Sequence, residues 1–368
     1  MARCLIGCGS NLGRRREQLD RAIELLRFMP GVSVLAVSRY RETRPIGGPA
    51  GQPPFLNGAC LIETGLSPHD VLGMLAAVEN TLHRERHGHW TPRTLDLDLL
   101  LYDDVVLDTP TLTLPHPRMV TRRFVLEPAA EIAADLGHPL AGCTVQALLD
   151  NLSRPHPLVA VVGVPGSGAP EVTAAVADAV MARAVHAPLP LPAGTPGDAT
   201  AWRETLAAWE RTLADLDWPA DPHGTIADFS LAMLRAAADH LPAADAVRFG
   251  AEIDRALERT VAPQVVILLR ADAAVLEERL APRDGGAAVT ARLAAHAGSM
   301  GVGARAAGAL ACEPAAASVA DLLAVQERLA DRLRRPDRGP RPLALVTIDA
   351  TDLGRATADA TAAVEAMI

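Results

Sequence analysis

Two aspartates, Asp96 and Asp98, stand one residue apart in "WTPRTLDLDLLLYDD", residues 90–104, a stretch that otherwise reads as a buried strand. Side chains two apart on a strand point the same way, so Asp96 and Asp98 share one face and Leu95, Leu97 and Leu99 the other. Carboxylates held that close repel unless a proton or a cation relieves them. Oxygen-only ligands at this spacing suit magnesium, which keeps part of its shell for substrate phosphates. A strand with a solvated outer face is the plainer account of the pair taken alone. The flanking residues favour phosphate. Arg84, Arg86 and Arg93 lie just before the pair in "HRERHGHWTPR", and His116, Arg118, Arg122 and Arg123 lie after it in "LPHPRMVTRRFVLEP". Planar guanidinium groups hold phosphate oxygens in pairs and steady the charge that moves during phosphoryl transfer. Any one of these arginines could instead pair with a surface carboxylate.

The elements that must position these groups alternate in type. "RCLIGCG" is an apolar run ended by Gly-Ser-Asn, and "RREQLDRAIELLRFM" has helical spacing at Leu19, Ile23 and Leu26. "VSVLAVSRY" reads as one strand, the Gly/Pro-rich loop "TRPIGGPAGQPP" follows, and "FLNGACLIET" is a further strand. "SPHDVLGMLAAVENTLHRER" opens with an N-cap serine and a proline at the first helical position, and the aspartate strand comes next. The order β α β β α β predicts an α+β ferredoxin-like N-terminal domain, an antiparallel sheet with two helices on one face.

The chain has 368 residues, 49% of them apolar, enough for two cores and so for two domains. Residues 1–153 hold 15 Arg against 17 acidic residues, net −2, and the remainder 20 against 27, net −7, which together give the −9 of the chain. Neither half has the basic stripe of a nucleic-acid binder. No apolar run reaches the roughly 18 residues of a membrane span. The start "MARCLIGCGSNLG" lacks a signal-peptide layout, so a cytoplasmic protein without membrane contact is expected. Cys4, Cys8, Cys60, Cys143 and Cys312 are odd in number and lack metal-ligand spacing, which predicts reduced thiols. All basic residues other than histidine are arginine; the chain has no lysine.

Four motifs, "GSNLG", "YRETRPIG" with "QPPFLNGA", "WTPRTLDLDLLLYDD" and "LPHPRMVTRRFVLEPAAEIA", make residues 2–150 resemble the 6-hydroxymethyl-7,8-dihydropterin pyrophosphokinases of folate synthesis. The resemblance implies transfer of diphosphate from ATP to the pterin's hydroxymethyl oxygen, with AMP released. It implies that Asp96 and Asp98 bind two magnesium ions and that Arg84 and Arg93 close over the triphosphate. By the same resemblance Glu79, Arg86, Trp90, His116 and Arg122 belong to the nucleotide site. Asn57 would read the pterin's polar edge and Phe55 and Phe124 would sandwich its ring, with Thr43, Pro45 and Ile46 beside it and Asn11 at its far side. Read from the residues alone, Phe55 and Phe124 are core candidates, and Asn57 could equally cap a turn. The family's Trp-Gly-Pro-Arg is here Trp90-Thr91-Pro92-Arg93, a stiffer loop that would close more slowly. A metal-dependent sugar transferase, which also uses an Asp-x-Asp pair, is the alternative of a different class.

From residue 158 the pattern changes. "LVAVVGVPGSGAPEVTAAVADAVMARA" has the strand, glycine-rich turn and helix of a P-loop, with Gly163, Gly166, Ser167 and Gly168 in the turn. A working loop carries Lys and Ser/Thr after its last glycine. Here Ala169 and Pro170 stand in those places, so the loop is degenerate, although backbone N–H groups near Gly166 and Ser167 could still hold an anion. "GTIADFSLAML", "TVAPQVVILLRADAAVLEERLAPRDG" and "PLALVTIDATDL" are similar in layout to deoxynucleoside kinases. This predicts an α/β P-loop kinase-like parallel-sheet domain over residues 158–368, following a pyrophosphokinase domain over 1–153. Three readings compete: an inactive kinase fold serving assembly or regulation, an active kinase using Arg283 or Arg292 for the missing lysine, and a nucleotide sensor. A homodimer through this domain is one arrangement such a fold allows.

Overall fold

The computed structural model describes residues 1–46, 51–82, 94–154, 157–192, 199–214, 224–239, 241–281, 318–334 and 344–367. They form two compact units. Unit 1 comprises Met1–Pro155, Leu343–Val346 and Ala358–Ile368; unit 2 comprises His156–Pro342 and Thr347–Thr357. Among the described residues no helix is long and apolar enough to cross a membrane.

Unit 1 runs β1 (Ala2–Ser10), α1 (Arg15–Phe28), β2 (Val32–Val37), β3 (Arg41–Thr43), β4 (Phe55–Thr64), α2 (Pro68–Thr81) and β5 (Asp96–Tyr102). It continues through β6 (Leu107–Asp108), β7 (Thr113–Leu114), α3 (Arg123–Ala133), β8 (Gly137–His138), β9 (Cys143–Thr144) and α4 (Val145–Leu152). β1 pairs antiparallel with β4 and β5, and β2 pairs antiparallel with β4, so the sheet order is β2-β4-β1-β5. Helix α2 begins as its sequence signals: Ser67 Oγ accepts the Asp70 N–H, the Asp70 carboxylate accepts the Ser67 N–H, and Pro68 occupies the first turn. One sheet face packs Ile6, Cys8, Ile62 and Leu97 against Leu19 and Leu26 of α1 and Leu75 of α2. Leu5 and Leu61, buried outside that cluster, mark the other face, and α3 packs against β4, β1 and β3.

The stretch "VSVLAVSRY" is not one strand. β2 ends at Val37, the Ser38 N–H still donates to the Ala59 carbonyl at 2.9 Å, and strand pairing resumes at Arg41. The reason is local: Ser38 Oγ accepts the Ala59 N–H at 2.8 Å, and the Tyr40 ring sits against Gly58, where an added Cβ would lie 2.7 Å from Tyr40 Cδ1. The chain therefore steps off β4 at Ser38 and returns as β3, which pairs Arg41 with Asn57 and Thr43 with Phe55.

Unit 2 holds β10 (Leu158–Val162), α5 (Ala169–Ala179), β11 (Arg183–Val185), α6 (Ala199–Ala214), β12 (Thr225–Ala227), α7 (Leu231–Ala238) and α8 (Ala243–Leu257). After these come β13 (Val265–Arg270), α9 (Ala273–Leu280) and α10 (Val319–Arg334); β14 (Ala344–Asp349) and α11 (Leu353–Glu365) are divided, β14 up to Val346 and α11 from Ala358 onward belonging to unit 1 and the rest of each to unit 2. The sheet order is β11-β12-β10-β13-β14, and the pairings β11–β12, β12–β10 and β10–β13 are parallel. β10 is buried along its whole length, as a central strand covered on both faces must be. The strand order reverses direction at β10, so the turn after it, Gly163–Gly168, sits at the switch point of the sheet.

Candidate active site

Register places the carboxylates. Cross-strand neighbours point to the same side of an antiparallel sheet, so the pairs Gly9–Asn57 and Gly9–Asp96 form one row, Asn57, Gly9, Asp96, across β4, β1 and β5. The pairs Gly7–Ala59 and Gly7–Asp98 form the next row. Both rows lie on the face opposite Leu97 and Leu99. Glycine in the middle of each row leaves a low floor between the amide of Asn57 and the two carboxylates.

The Gly9 position is tight. A Cβ built there would fall 2.9 Å from Asn57 Oδ1 and 4.0 Å from Phe55 Cδ1. Asn57 is buried and its Nδ2 donates to Thr43 Oγ1 at 2.7 Å, so β3 fixes the amide's orientation. Asn11, also buried, reaches the Pro53 carbonyl at 3.4 Å from its Nδ2. Pro45 and Ile46 are half-buried in the segment after β3. Phe55 and Asn57 therefore lie beside Gly9, with Thr43 bonded to the Asn57 amide.

On the other side of the floor, Asp98 Oδ2 faces His116 Nε2 at 3.9 Å and Arg122 Nη1 at 3.8 Å. The Arg122 guanidinium also lies over the Phe124 ring, 5.6 Å from its centroid, which links the cation to the aromatic residue two positions on. His116 Nδ1 accepts the Arg118 N–H at 3.2 Å. A ring nitrogen that accepts carries no proton, so the neutral ring bears its proton on Nε2, toward Asp98. Burial holds the His116 pKa below its ordinary value; Asp98 works against this, and Arg122 and Arg118 add to it. The ring is thus a neutral donor beside a permanent cation.

Glu79 is buried on α2, and its Oε1 accepts the N–H of Leu97, the residue between the two aspartates, at 2.8 Å. It acts on β5 itself, a role that its spacing in the sequence does not announce. Gly7 and Gly9 have one visible signal in the sequence, the alternation Gly7-Cys8-Gly9 within a strand, since glycine weakens a strand and marks a close approach. Arg84, Arg86, Trp90, Thr91 and Arg93 lie outside the described residues. Burial pushes the Cys4 and Cys60 thiols up to about 12 and Cys8 well up, so these thiols stay protonated and are no nucleophiles.

The donor set can be tested against magnesium. Among the described residues there is no cluster of three or more His, Cys, Asp or Glu side chains able to hold an ion. Two carboxylates on one face with oxygen-only donors nonetheless fit a cation that takes its other ligands from phosphate and water.

Residues 5–134 match the family described as 7,8-dihydro-6-hydroxymethylpterin-pyrophosphokinase (HPPK). The 2-amino-4-hydroxy-6-hydroxymethyldihydropteridine pyrophosphokinase of Pseudomonas aeruginosa is 43% identical over 137 residues, 37% of this chain and 84% of that protein. The chain belongs to this family. The pyrophosphokinases of Methylorubrum extorquens, 40% identical over 152 residues (41% of this chain, 94% of that one), and Bacillus subtilis, 45% over 127 (34% and 75%), agree. The enzyme accordingly transfers diphosphate from ATP to 6-hydroxymethyl-7,8-dihydropterin in folate synthesis. All of the described candidate residues named above for the first domain lie in unit 1.

In unit 2 the glycines of the turn are packed closely by other parts of the unit. Gly166 and Gly168 adopt φ of +85° and +89°, open to glycine at little cost. A Cβ on Gly168 would lie 2.3 Å from Leu353 Cδ2, and one on Gly166 within 3.2 Å of Leu280 Cγ and Leu276 Cδ2. Arg279 donates to the carbonyls of Gly166, Ser167, Ala350 and Thr351 at 2.7 to 3.4 Å. Ser167 is fully buried, against Gly163, where an added Cβ would fall 2.9 Å from the Ser167 Cβ.

Proposed function

We propose that the pyrophosphate transfer takes place on the two-row face of unit 1, with the pterin over Gly9 and the triphosphate over Asp96 and Asp98. The observation that carries this reading is the Asp98 carboxylate, within 4 Å of both His116 and Arg122 and one row from Asp96, Gly9 and Asn57. Asn57, oriented by Thr43, supplies a donor and an acceptor to the pterin's polar edge. Phe55 and Phe124 offer ring faces, while Pro45, Ile46 and Asn11 border the same end. His116 Nε2–H and Arg122 bind phosphate oxygens, and Glu79 holds β5 so that the aspartates keep their spacing.

Asp96 and Asp98 would hold two magnesium ions; when bound, these neutralise phosphate charge and make the phosphorus more open to attack. The hydroxymethyl oxygen of the pterin forms a bond to the β-phosphorus of ATP as the bond from that phosphorus to the α-phosphate oxygen breaks. AMP leaves with the electron pair of the broken bond on its phosphate oxygen, and the hydroxyl proton passes to solvent water. Alignment and charge neutralisation carry most of such a transfer, so no side chain is assigned as a base. Asp96→Ala and Asp98→Ala in the full chain should nearly abolish pterin-dependent AMP release while the far-UV spectrum stays that of the wild type. Wild-type turnover in either variant would remove the carboxylates from the reaction. Membership of the pyrophosphokinase family leaves no place for the sugar-transferase alternative.

In the finer terms of fold, the strand order of unit 1 supports a ferredoxin-like reading of residues 1–153, and the parallel order of unit 2 a P-loop kinase-like reading of 158–368. The second domain is read as a kinase fold that does no chemistry, in a cytoplasmic protein. What supports this is the turn itself, which lacks lysine, is packed closely by Leu353, Leu280 and Leu276, and has its carbonyls taken by Arg279. A structural role for that domain leaves room for a homodimer formed through it.

A further inference from the structure

Unit 1 includes residues from the far end of the chain, Ala358–Ile368, and they meet the segment that carries His116, Arg122 and Phe124. Helix α3 begins at Arg123, with Arg122 as its cap residue, and the Arg122 side chain makes no cap bond. A helix start leaves backbone N–H groups that need acceptors from elsewhere. The Arg123 N–H donates to the Ala366 carbonyl at 2.9 Å. The Arg123 guanidinium donates from Nε to the Met367 carbonyl at 3.0 Å and from Nη2 to the Leu152 carbonyl, at the end of α4, at 2.8 Å. On the other side of Arg122, Arg118 Nη2 donates to Asp359 Oδ1 at 2.8 Å. Arg118 is also the residue whose N–H fixes the His116 ring. Arg122 is therefore bracketed by anchors made on residues 359–367, and His116 is tied to one of them through the Arg118 N–H; the partners are about 240 positions away in sequence, as the separations of 241 and 244 for the Arg118–Asp359 and Arg123–Met367 bonds record.

We propose that Asp359–Met367 form a positioning element of the pyrophosphokinase: they cap α3 and hold His116 and Arg122 at the distance from Asp98 that receives the ATP polyphosphate. This rests on the assignment of that face to ATP. A displacement of about 1 Å in a phosphate-binding group costs up to roughly a hundredfold in an aligned transfer, and loosening one anchor of several costs less. The test uses the full chain and the variants Asp359→Ala, Asp359→Glu and Arg123→Ala, with KM for ATP, KM for the pterin, kcat and the melting midpoint measured for each. The expected result is a KM for ATP raised roughly five- to tenfold in Asp359→Ala and Arg123→Ala, with the pterin KM within twofold and partial recovery in Asp359→Glu. A merely structural contact would lower the melting midpoint and the active fraction but leave the KM for ATP alone. A wild-type KM for ATP in both alanine variants, whatever their melting, overturns the proposal. Wild-type turnover in Asp98→Ala would instead overturn the site assignment beneath it.

Discussion

Gly9→Ala puts the geometry of the floor to the most direct test. Gly9 is not in a left-handed conformation, so alanine brings no backbone strain; its cost is the methyl group, 2.9 Å from Asn57 Oδ1. Ordinary van der Waals contact begins near 3.4 Å, so the amide must retreat by about half an ångström, and its 2.7 Å bond to Thr43 Oγ1 stretches or breaks. Overpacking of this kind costs roughly 1–3 kcal/mol, of which a lost neutral hydrogen bond accounts for about 1. If the amide reads the pterin, that energy falls on pterin binding, and KM for the pterin rises about 5- to 150-fold at 1.4 kcal/mol per tenfold. Gly7→Ala is the control, because its methyl would meet Leu100 Cδ1 at 3.4 Å, an ordinary contact. Steady-state AMP release at saturating ATP, with the pterin varied, reads both variants. A wild-type pterin KM in Gly9→Ala, in a protein whose melting midpoint has fallen, would place the pterin elsewhere.

Other outcomes follow from single contacts. Glu79→Ala should remove roughly 2 kcal/mol from unit 1 in urea unfolding, because the Leu97 N–H loses a charge-assisted acceptor, and Glu79→Gln should lose about half of that; a raised KM for ATP with no loss of stability would instead make Glu79 a direct nucleotide contact. His138 is buried, with a pKa lowered to about 4 by desolvation, and its Nδ1 accepts the Ala141 N–H. Its folded pKa lies below its unfolded one, so the unfolded chain binds the proton first and stability falls as pH drops from 6.5 toward 4, by about 2 kcal/mol at pH 5 and about 3 in the limit. Urea midpoints from pH 7.5 to 4.5 should show this slope in the wild type and lose it in His138→Asn; equal slopes would exclude the residue. In unit 2, amide exchange across Gly163–Gly168 should not change on adding ATP or deoxynucleosides, since leucines already pack against the turn. Protection there, or deoxynucleoside phosphorylation by the Asp98→Ala chain, would overturn the non-catalytic reading.

The parts of the enzyme legible in the sequence are those governed by local rules. The spacing of Asp96 and Asp98 fixes a shared face because a strand repeats every two residues, and Ser67-Pro68 with Asp70 marks a helix start because orphan N–H groups need that oxygen. What escaped depends on partners far along the chain. That Asn57, Gly9 and Asp96 form one row is a fact of register between three strands, and register is set by the whole sheet. The break at Ser38 needs Ala59 as its partner, although "VSVLAVSRY" has an unbroken strand composition. No periodicity near Arg118 tells of Asp359, and none near residue 360 tells of α3.

If the polyphosphate lies on this face as proposed, the two residues that face Asp98, His116 and Arg122, divide their labour by charge. Arg122 is cationic at every accessible pH, so it attracts polyphosphate without being gated by protonation. A second fixed cation would bind ATP and product alike, which lowers KM without favouring the transition state. His116 avoids this: burial keeps it neutral, and its Nδ1 is occupied by the Arg118 N–H, so what it presents is a single directed Nε2–H. A directed dipole gains most where negative charge concentrates during transfer, and it leaves AMP freer to go. Arg118 thus sets the tautomer of one group through its backbone, while its side chain anchors the segment that holds the other. The orientation of His116 and the reach of Arg122 are in this sense one property of residues 116–124, and a change that loosens the segment should disturb both together.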